Sequence, residues 1–297
     1  MTESVNLHLQ NALHHVYINP LEQCNLHCAV CYTRKTTPVL SEDQILKFIT
    51  KYAAFLTLES VTFCGGEVFL LPYVPHAVNS LTDRGLFVKI ITNGTINRLR
   101  ELQNPNAVNV IVSLDGLPAY HDTNRGAGMF QKSIDFLKNA LCVGFHAEIF
   151  SVVTKQNYPH LKEFEAYVCD VLDHSISITY HPRKPLAYLA LHPVSNINKH
   201  IHGFDFLNKR EITQLMRNKK TFPPKELGCY QIALMSDGKI YGCCEGIRPI
   251  GTIHDDIQTL VENLTNRVNI WDSASRSTNC LGCSEPEFVC GLQKHLS

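Results

Sequence analysis

No charge of one sign dominates this chain: Lys and Arg total 27, Asp and Glu total 27, and the net charge is zero with histidine neutral. That balance supplies no global field for a polyanion, so neither nucleic acid nor an anionic membrane surface is an expected partner. No run of about 18 apolar residues offers a membrane span. The opening MTESVNLHLQNALHH has neither the basic start nor the apolar stretch of a secretory signal. Glycine (16) and proline (14) are too few for a fibrous repeat or a disordered chain. What is present is a chain of 297 residues, 44% hydrophobic, enough for one large core and a smaller appendage. The expectation is a cytoplasmic protein. In that compartment clustered cysteines more often bind metal or do redox chemistry than form disulfides, which decides how the 12 cysteines are taken.

From residue 15 to 180, short apolar runs alternate with amphipathic stretches. HVYINPL precedes SEDQILKFITKYAAFL, where Ser41 is the cap; SVTFCGGE precedes PYVPHAVNSLTDRG; FVKIITNG precedes INRLRELQ. AVNVIVSLDG then leads to MFQKSIDFLKNALCVG, HAEIFSVVT to YPHLKEFEAYVCDVLDH, and SISITYH is a sixth strand. This alternation predicts an α/β fold, a parallel sheet with helices outside, whose functional residues gather where strands end. Residues 181–228 carry five prolines and read as a linker with a short helix near 209–218. Residues 229–297 hold six of the 12 cysteines and open with IALMSDGKIYGCC, a hairpin turning at Ser236, Asp237 and Gly238. A helix near 255–270 follows. This end has too little apolar mass to stand alone, so a metal staple is expected. Cys142 and Cys169 occupy apolar helical positions and read as core, and Cys64 reads as a buried thiol.

Cys24, Cys28 and Cys31 fall within eight positions, in the loop after the first strand. Zinc sites normally close with four ligands in paired spacing. A C-x3-C-x2-C run supplies three thiolates and stops, which on an iron–sulfur cube leaves one iron open to another ligand. A zinc knuckle completed by His27, or three free thiols, is the plain alternative.

CNLHCAVCY resembles the signature of the radical S-adenosylmethionine (SAM) superfamily, with Tyr32 the aromatic after the last cysteine. CGGEV (64–68) is similar to that family's G-G-E-P, with Val68 in place of proline; ITNG (91–94) matches the end of a third strand. VSLDG and HDTNRG (112–116, 121–126) resemble the S-x-D-G and H-D-x-x-R-G of the peptide- and sulfatase-maturing branch. The resemblance implies a partial (β/α)6 TIM-like barrel and a 4Fe-4S cluster on Cys24, Cys28 and Cys31. The cluster's open iron would take SAM, and reductive cleavage would give a 5′-deoxyadenosyl radical. It also implies cofactor contacts from Tyr32, Gly65, Gly66, Glu67, Asn93, Ser113, Asp115 and Arg125. Glu67 would accept from the SAM ammonium, while Ser113 and the Arg125 fork would meet its carboxylate. The alternative is that Asp115 holds only the turn before Gly116, and Asn93 only the turn before Gly94.

Cys229, Gly238 and Cys243 resemble the opening of SPASM and twitch auxiliary domains, and Cys280, Cys283 and Cys290 their later C-x2-C element. The resemblance implies one auxiliary 4Fe-4S cluster on Cys229, Cys243, Cys280 and Cys283, with Cys244 and Cys290 in reserve; a zinc ribbon on the same four is the alternative. The expected domains are therefore a barrel (1–180), a linker (181–228) and a small metal-stapled α+β unit (229–297). Cys244 and Glu245 beside that cluster are candidate catalytic residues, as hydrogen donor or base. The expected substrate is a ribosomally made precursor peptide undergoing cross-linking, epimerisation or oxidation. Only 23 residues precede Cys24, so a separate partner or the linker would meet a leader segment. A small-molecule epimerase or dehydrogenase of aminoglycoside type is the alternative, and a non-catalytic iron–sulfur or zinc scaffold a third. The expected reductant is flavodoxin or ferredoxin.

Overall fold

The computed structural model describes residues 13–33, 35–172, 176–184, 201–217, 220–221, 231–244, 246, 248–273 and 292–295. Cys229, Glu245, Cys280, Cys283 and Cys290 lie outside the described residues, so the calls on them are not judged by it.

Six strands form first: β1 (His15–Ile18), β2 (Ser60–Phe63), β3 (Phe87–Thr92), β4 (Val108–Ser113), β5 (His146–Val153) and β6 (Ser177–Pro182). Each pairs in parallel with the next, in chain order. A sheet laid down without reversal, through right-handed crossovers, puts all its helices on one face. The other face then curls into a barrel interior. The residues record this division. Val16, Ile18, Val61, Phe63, Val88, Ile90, Val110, Val112, Ile149 and Ile178 are sealed in the common core with helix residues such as Ile49, Val78 and Leu137. Successive side chains alternate faces, so Tyr17, Lys89, Asn109 and Glu148 belong to the interior.

The helices form for local reasons. In α1 (Glu42–Ala53), Ser41 Oγ accepts from Gln44 N while the Gln44 side chain accepts from Ser41 N, a complete capping box. Its Ile45, Phe48, Ile49 and Tyr52 line one buried stripe. α2 (Val74–Thr82) follows β2, and α3 (Pro118–Arg125) opens on a proline, which loses no helical bond there. α4 (Met129–Val143) ends at Gly144, whose φ of 95° suits a left-handed cap. Its buried face runs through Ile134, Leu137 and Ala140, which leaves Cys142 exposed rather than in the core. α5 (Leu161–Val171) precedes β6. The expected helix at INRLRELQ is absent: Asn97 accepts from Leu99 N, and the chain makes only the tight turns Leu99–Glu101 and Pro105–Ala107. Conversely, α3 was not expected from periodicity.

After α6 (Lys209–Met216) and the two-residue β7 (Lys220–Thr221), the chain returns to the sheet. β8 (Ile232–Leu234) lies parallel on the free edge of β1, with Val16 opposite Ile232 and Ile18 opposite Leu234. β9 (Lys239–Tyr241) and β10 (Pro249–Thr252) continue antiparallel, and α7 (Ile257–Ser273) covers them. β11 (Leu292–His295) pairs antiparallel with β6 and β7 at the far edge. The sheet is therefore open, with eleven strands among the described residues. The hairpin at Ser236–Gly238 forms as expected. No helix of the described residues is long and apolar enough to cross a membrane.

Candidate functional site

A single loop carries Cys24, Cys28 and Cys31. It leaves β1 at Asn19 and is pinched shut at its base, where Leu21 bridges Val39 and Leu40 N donates to Pro20 O. Three neighbouring strand ends hold it down. After β2, Gly66 N donates to Leu21 O (2.8 Å) and Glu67 N to Gln23 O (2.9 Å). The glycines are required by this contact. A Cβ on Gly66 would lie 1.8 Å from Gln23 O, and one on Gly65, at a φ of 151°, 2.3 Å from Leu21 O. The close approach that the two glycines permit is thus to the cysteine loop itself. After β3, Asn93 Nδ2 donates to Asn25 Oδ1 (2.9 Å) and lies 3.7 Å from Cys24 Sγ, while Asn25 Nδ2 donates to Thr95 Oγ1 (2.8 Å). From α3, Asn124 accepts twice, from Ala29 N (2.8 Å) and Val30 N (3.1 Å). Lys35 Nζ ties back to Leu26 O.

The charged groups beneath the loop form a chain. Asp115, fully buried just past β4, accepts from Arg125 Nε (2.5 Å) and Nη2 (3.1 Å), Asn124 Nδ2 (2.7 Å) and Val152 N (3.0 Å). Burial works to raise its carboxyl, but the Arg125 charge and these bonds outweigh that and hold it below the ordinary carboxylate value. The Arg125 fork, expected to meet a SAM carboxylate, is closed on Asp115; its Nη1 lies 4.0 Å from Cys28 Sγ. The turn reading of Asp115 has a direct contact, since its carbonyl accepts from Asn157 Nδ2 (2.6 Å) just before Gly116. Burial pushes the Cys28 thiol up to about 11 against the pull of Arg125, and raises Cys24 as well. Glu67, also sealed from solvent, is raised by burial; its Oε1 accepts from Phe69 N and Thr92 Oγ1, and its Oε2 from Asn93 N.

The remaining expected residues fall around this centre. Ser113 ends β4, half-buried, on the interior side, and Tyr32 lies beneath the Lys184 ammonium, 5.0 Å from the ring centre. Cys64, just past β2, lies beside the Tyr17 hydroxyl, which burial raises well above its ordinary value. Cys243 is buried and Cys244 partly so, just past β9. Asn25, Thr95 and Asn124 were not singled out in the sequence. Asn124 sat beside Arg125 in HDTNRG, but nothing in its spacing shows that its carbonyl and amide receive the cysteine loop.

Among the described residues no three ligating side chains are gathered as a ready metal-ion site, but the chemistry of this donor set suits a cubane with one open iron. Three thiols share one closed loop, no fourth cysteine lies on it, burial keeps two of them protonated until metal displaces the proton, and a guanidinium offsets the resulting charge. A parallel strand series in chain order, with three cysteines on the loop after its first strand, defines a protein of the partial-barrel class. The sequence profile of the Radical SAM superfamily matches residues 18–168, just over half of the 297. The chain belongs to the radical SAM superfamily, a class of SAM-dependent enzymes. It is 33% identical over 151 residues to the mycofactocin maturase MftC of Mycobacterium ulcerans, covering 48% of this chain and 41% of that protein. The subtilosin biosynthesis protein AlbA of Bacillus subtilis matches at 25% over 63% of this chain and 43% of its own length. The chain thus spans less than half of each of these two relatives. Among solved structures, anSMEcpe with bound AdoMet superposes with a TM-score of 0.66 at 15% identity, covering 93% of this chain and 92% of the other. Streptococcus suis SuiB bound to precursor peptide SuiA gives 0.66 at 15%, covering 96% and 74%.

Proposed function

We propose that Cys24, Cys28 and Cys31 hold a 4Fe-4S cluster and that the strand ends around it hold SAM, making the chain a radical enzyme that abstracts hydrogen from its substrate. The observation that carries this is the closed cysteine loop clamped by Gly66, Glu67, Asn93 and Asn124, with Arg125 behind Cys28. Bound there, the cluster and SAM would supply one-electron cleavage of the sulfonium to methionine and a 5′-deoxyadenosyl radical. The protein's own part is to bind, orient and exclude water. Glu67 Oε2 accepts from Asn93 N and keeps capacity for the SAM ammonium, alongside Gly65, Gly66, Asn93, Ser113 and Tyr32. Arg125, locked by Asp115, acts on the cluster thiolate charge in place of the expected SAM carboxylate.

The substrate reading is a ribosomally made peptide, altered by cross-linking, epimerisation or oxidation. What supports it is the set of relatives called maturase or bacteriocin biosynthesis protein and the fold shared with SuiB, whose structure holds a precursor peptide. A small-molecule substrate is the second reading, supported by 26% identity over 52% of this chain to an S-adenosylmethionine-dependent nucleotide dehydratase of Flammeovirga pacifica. We further propose that 1–180, 181–228 and 229–297 serve as barrel, linker and auxiliary segment in a cytoplasmic enzyme reduced by flavodoxin or ferredoxin. The auxiliary segment would carry one 4Fe-4S cluster on Cys229, Cys243, Cys280 and Cys283, with Cys244 and Glu245 beside the substrate.

Anaerobically reconstituted protein with dithionite should convert SAM to 5′-deoxyadenosine. A Cys24, Cys28 and Cys31 triple alanine variant that still does so overturns the assignment. Iron quantitation separates an auxiliary iron–sulfur cluster from zinc in the terminal segment.

A further inference from the structure

Interiors of closed parallel barrels are usually filled by branched apolar side chains. This one is not. The interior-facing positions carry a polar belt across adjacent strands: Tyr17 of β1 opposite Thr62 of β2, Thr62 opposite Lys89 of β3, and Lys89 opposite Asn109 of β4. One pair higher, Glu148 of β5 closes the row, with Asn109 Nδ2 donating to Glu148 Oε1 at 2.9 Å.

Two features of the belt are unfinished. The Asn109 amide is fixed by that bond, because only its NH2 group can face a carboxylate. Its Oδ1 is left without a partner among the described residues, although Asn109 is 4% exposed. A buried amide oxygen left in that condition loses its solvation without return, which a ligand's N–H would recover. Beside it, the half-buried Lys89 ammonium makes no hydrogen bond or ion pair among the described residues. Next to the cation, His15 is neutral: burial, with Lys89 adding to it, lowers it to about 4, and its Nδ1 engages Ser60 Oγ at 2.8 Å. An uncommitted cation and an uncommitted amide acceptor therefore stand side by side, one residue pair from a carboxylate.

That charge pattern selects among anions. A dianionic phosphate would meet one lysine and the nearby Glu148 charge, a poor match. A singly charged carboxylate with an N–H a bond or two away matches Lys89 and Asn109 and adds one negative charge to a belt in which Lys89 and Glu148 offset each other, where the phosphate would add two. Placement agrees. Asn109 and Lys89 lie four residues below Ser113 and Asn93 on their strands, about 13 Å at ~3.3 Å per residue. A short extended peptide spans that gap towards the strand ends.

We propose that Lys89 and Asn109 anchor the substrate, Lys89 taking a free carboxylate and Asn109 Oδ1 an adjacent N–H, so that the chamber accepts a peptide or amino-acid unit with a free acid group. This deepens the peptide reading above and rests on the barrel being the radical enzyme's substrate chamber. The test is equilibrium binding by saturation-transfer NMR, which needs neither reductant nor turnover. The same preparation is assayed for 5′-deoxyadenosine separately, so failure of one reading is distinct from failure of the other. The probes are pooled N-acetylated dipeptides as free acids, the same dipeptides as amides, and uridine monophosphate, each added to the full reconstituted chain with SAM. The acids are expected to bind at least tenfold tighter than the amides. Lys89→Met should erase that preference and Lys89→Arg restore part of it, both with melting midpoints near wild type; Lys89→Gln replaces the methionine variant if it does not fold. Equal binding of acids and amides, a preference that survives Lys89→Met, tighter binding of the nucleotide, or no binding of any acid up to ~10 mM would each overturn the proposal.

Discussion

His121 is buried completely behind Asp115, and its ring, like that of His15, makes the fold sensitive to acid. Nδ1 accepts from Asp115 N at 3.1 Å, so that nitrogen must be unprotonated, and Nε2 has no partner among the described residues. Burial, opposed by Asp115 and aided by Arg125, lowers the ring from 6.5 to about 4. The unfolded chain therefore binds a proton between those values that the folded chain refuses, and stability rises with pH across that window. The contribution is fully present above 6.5 and fades as pH falls towards 4, by about 3 kcal/mol at ~1.4 kcal/mol per unit. His121→Asn, which keeps an acceptor, should flatten the dependence of urea midpoint on pH between 7 and 4; an unchanged slope refutes the assignment. Asp115 acts lower on the scale: its depressed carboxyl stabilises above the ordinary carboxylate value, and that contribution is lost only in stronger acid. Removing its charge leaves the Arg125 guanidinium, 11% exposed, without its partner. Asp115→Asn should cost about 3–5 kcal/mol in denaturant unfolding, the range for breaking a buried pair. A loss under 1 kcal/mol would mean Arg125 is satisfied elsewhere.

At the scale of elements, the cysteine loop owes its position to the turn after β2. Gly66→Ala sets a Cβ against Gln23 O with no room for it, while Val61 and Phe63 of β2 stay in the core. The expected outcome is a protein with near-normal far-ultraviolet circular dichroism that binds less than half the wild-type iron at the first cluster. Full iron loading would show that the loop finds another seat. This element also shows what the sequence made legible. The C-x3-C-x2-C spacing, G-G-E and S-x-D-G placed the site at strand ends, because ligand spacing and turn chemistry are local. The six strands were legible because each sealed run, such as VNVIVS, is continuous or alternates cleanly. What was not legible is pairwise. That the Arg125 fork closes on Asp115 depends on how the chain turns back over 10 residues, and that Asn124 of an unexpected helix receives Val30 depends on segments 94 residues apart meeting in space. The helix expected at INRLRELQ failed for the opposite reason: Asn97 and Pro105 offered local turns that outcompeted eight residues of weak periodicity.

For the whole molecule, the question is whether the segment after residue 231 unfolds with the barrel or apart from it. Composition suggested a small unit in need of a metal staple, which would loosen first in apo protein. The strand pairing argues for one cooperative body as far as the described residues go. β8 extends the parallel sheet from β1, and Ile232, Leu234 and Ile240, with Leu260 and Leu264 of α7, are fully sealed in the same core as Val16 and Ile18. Lys51 of α1 reaches across to donate to Ile253 O (3.2 Å) and Asp255 O (2.6 Å), a second tie between barrel helix and terminal hairpin. Burying five such side chains against the barrel contributes on the order of 1.5–3 kcal/mol each, too much to be lost without disturbing β1. Ile240→Ala should therefore cost about 2–4 kcal/mol and lower the melting midpoint of the entire chain. Circular dichroism at 222 nm and the tyrosine signal would move together through one transition. Two separated transitions in the variant, with only the earlier one shifted, would establish that β8–β10 and α7 fold apart from β1–β6.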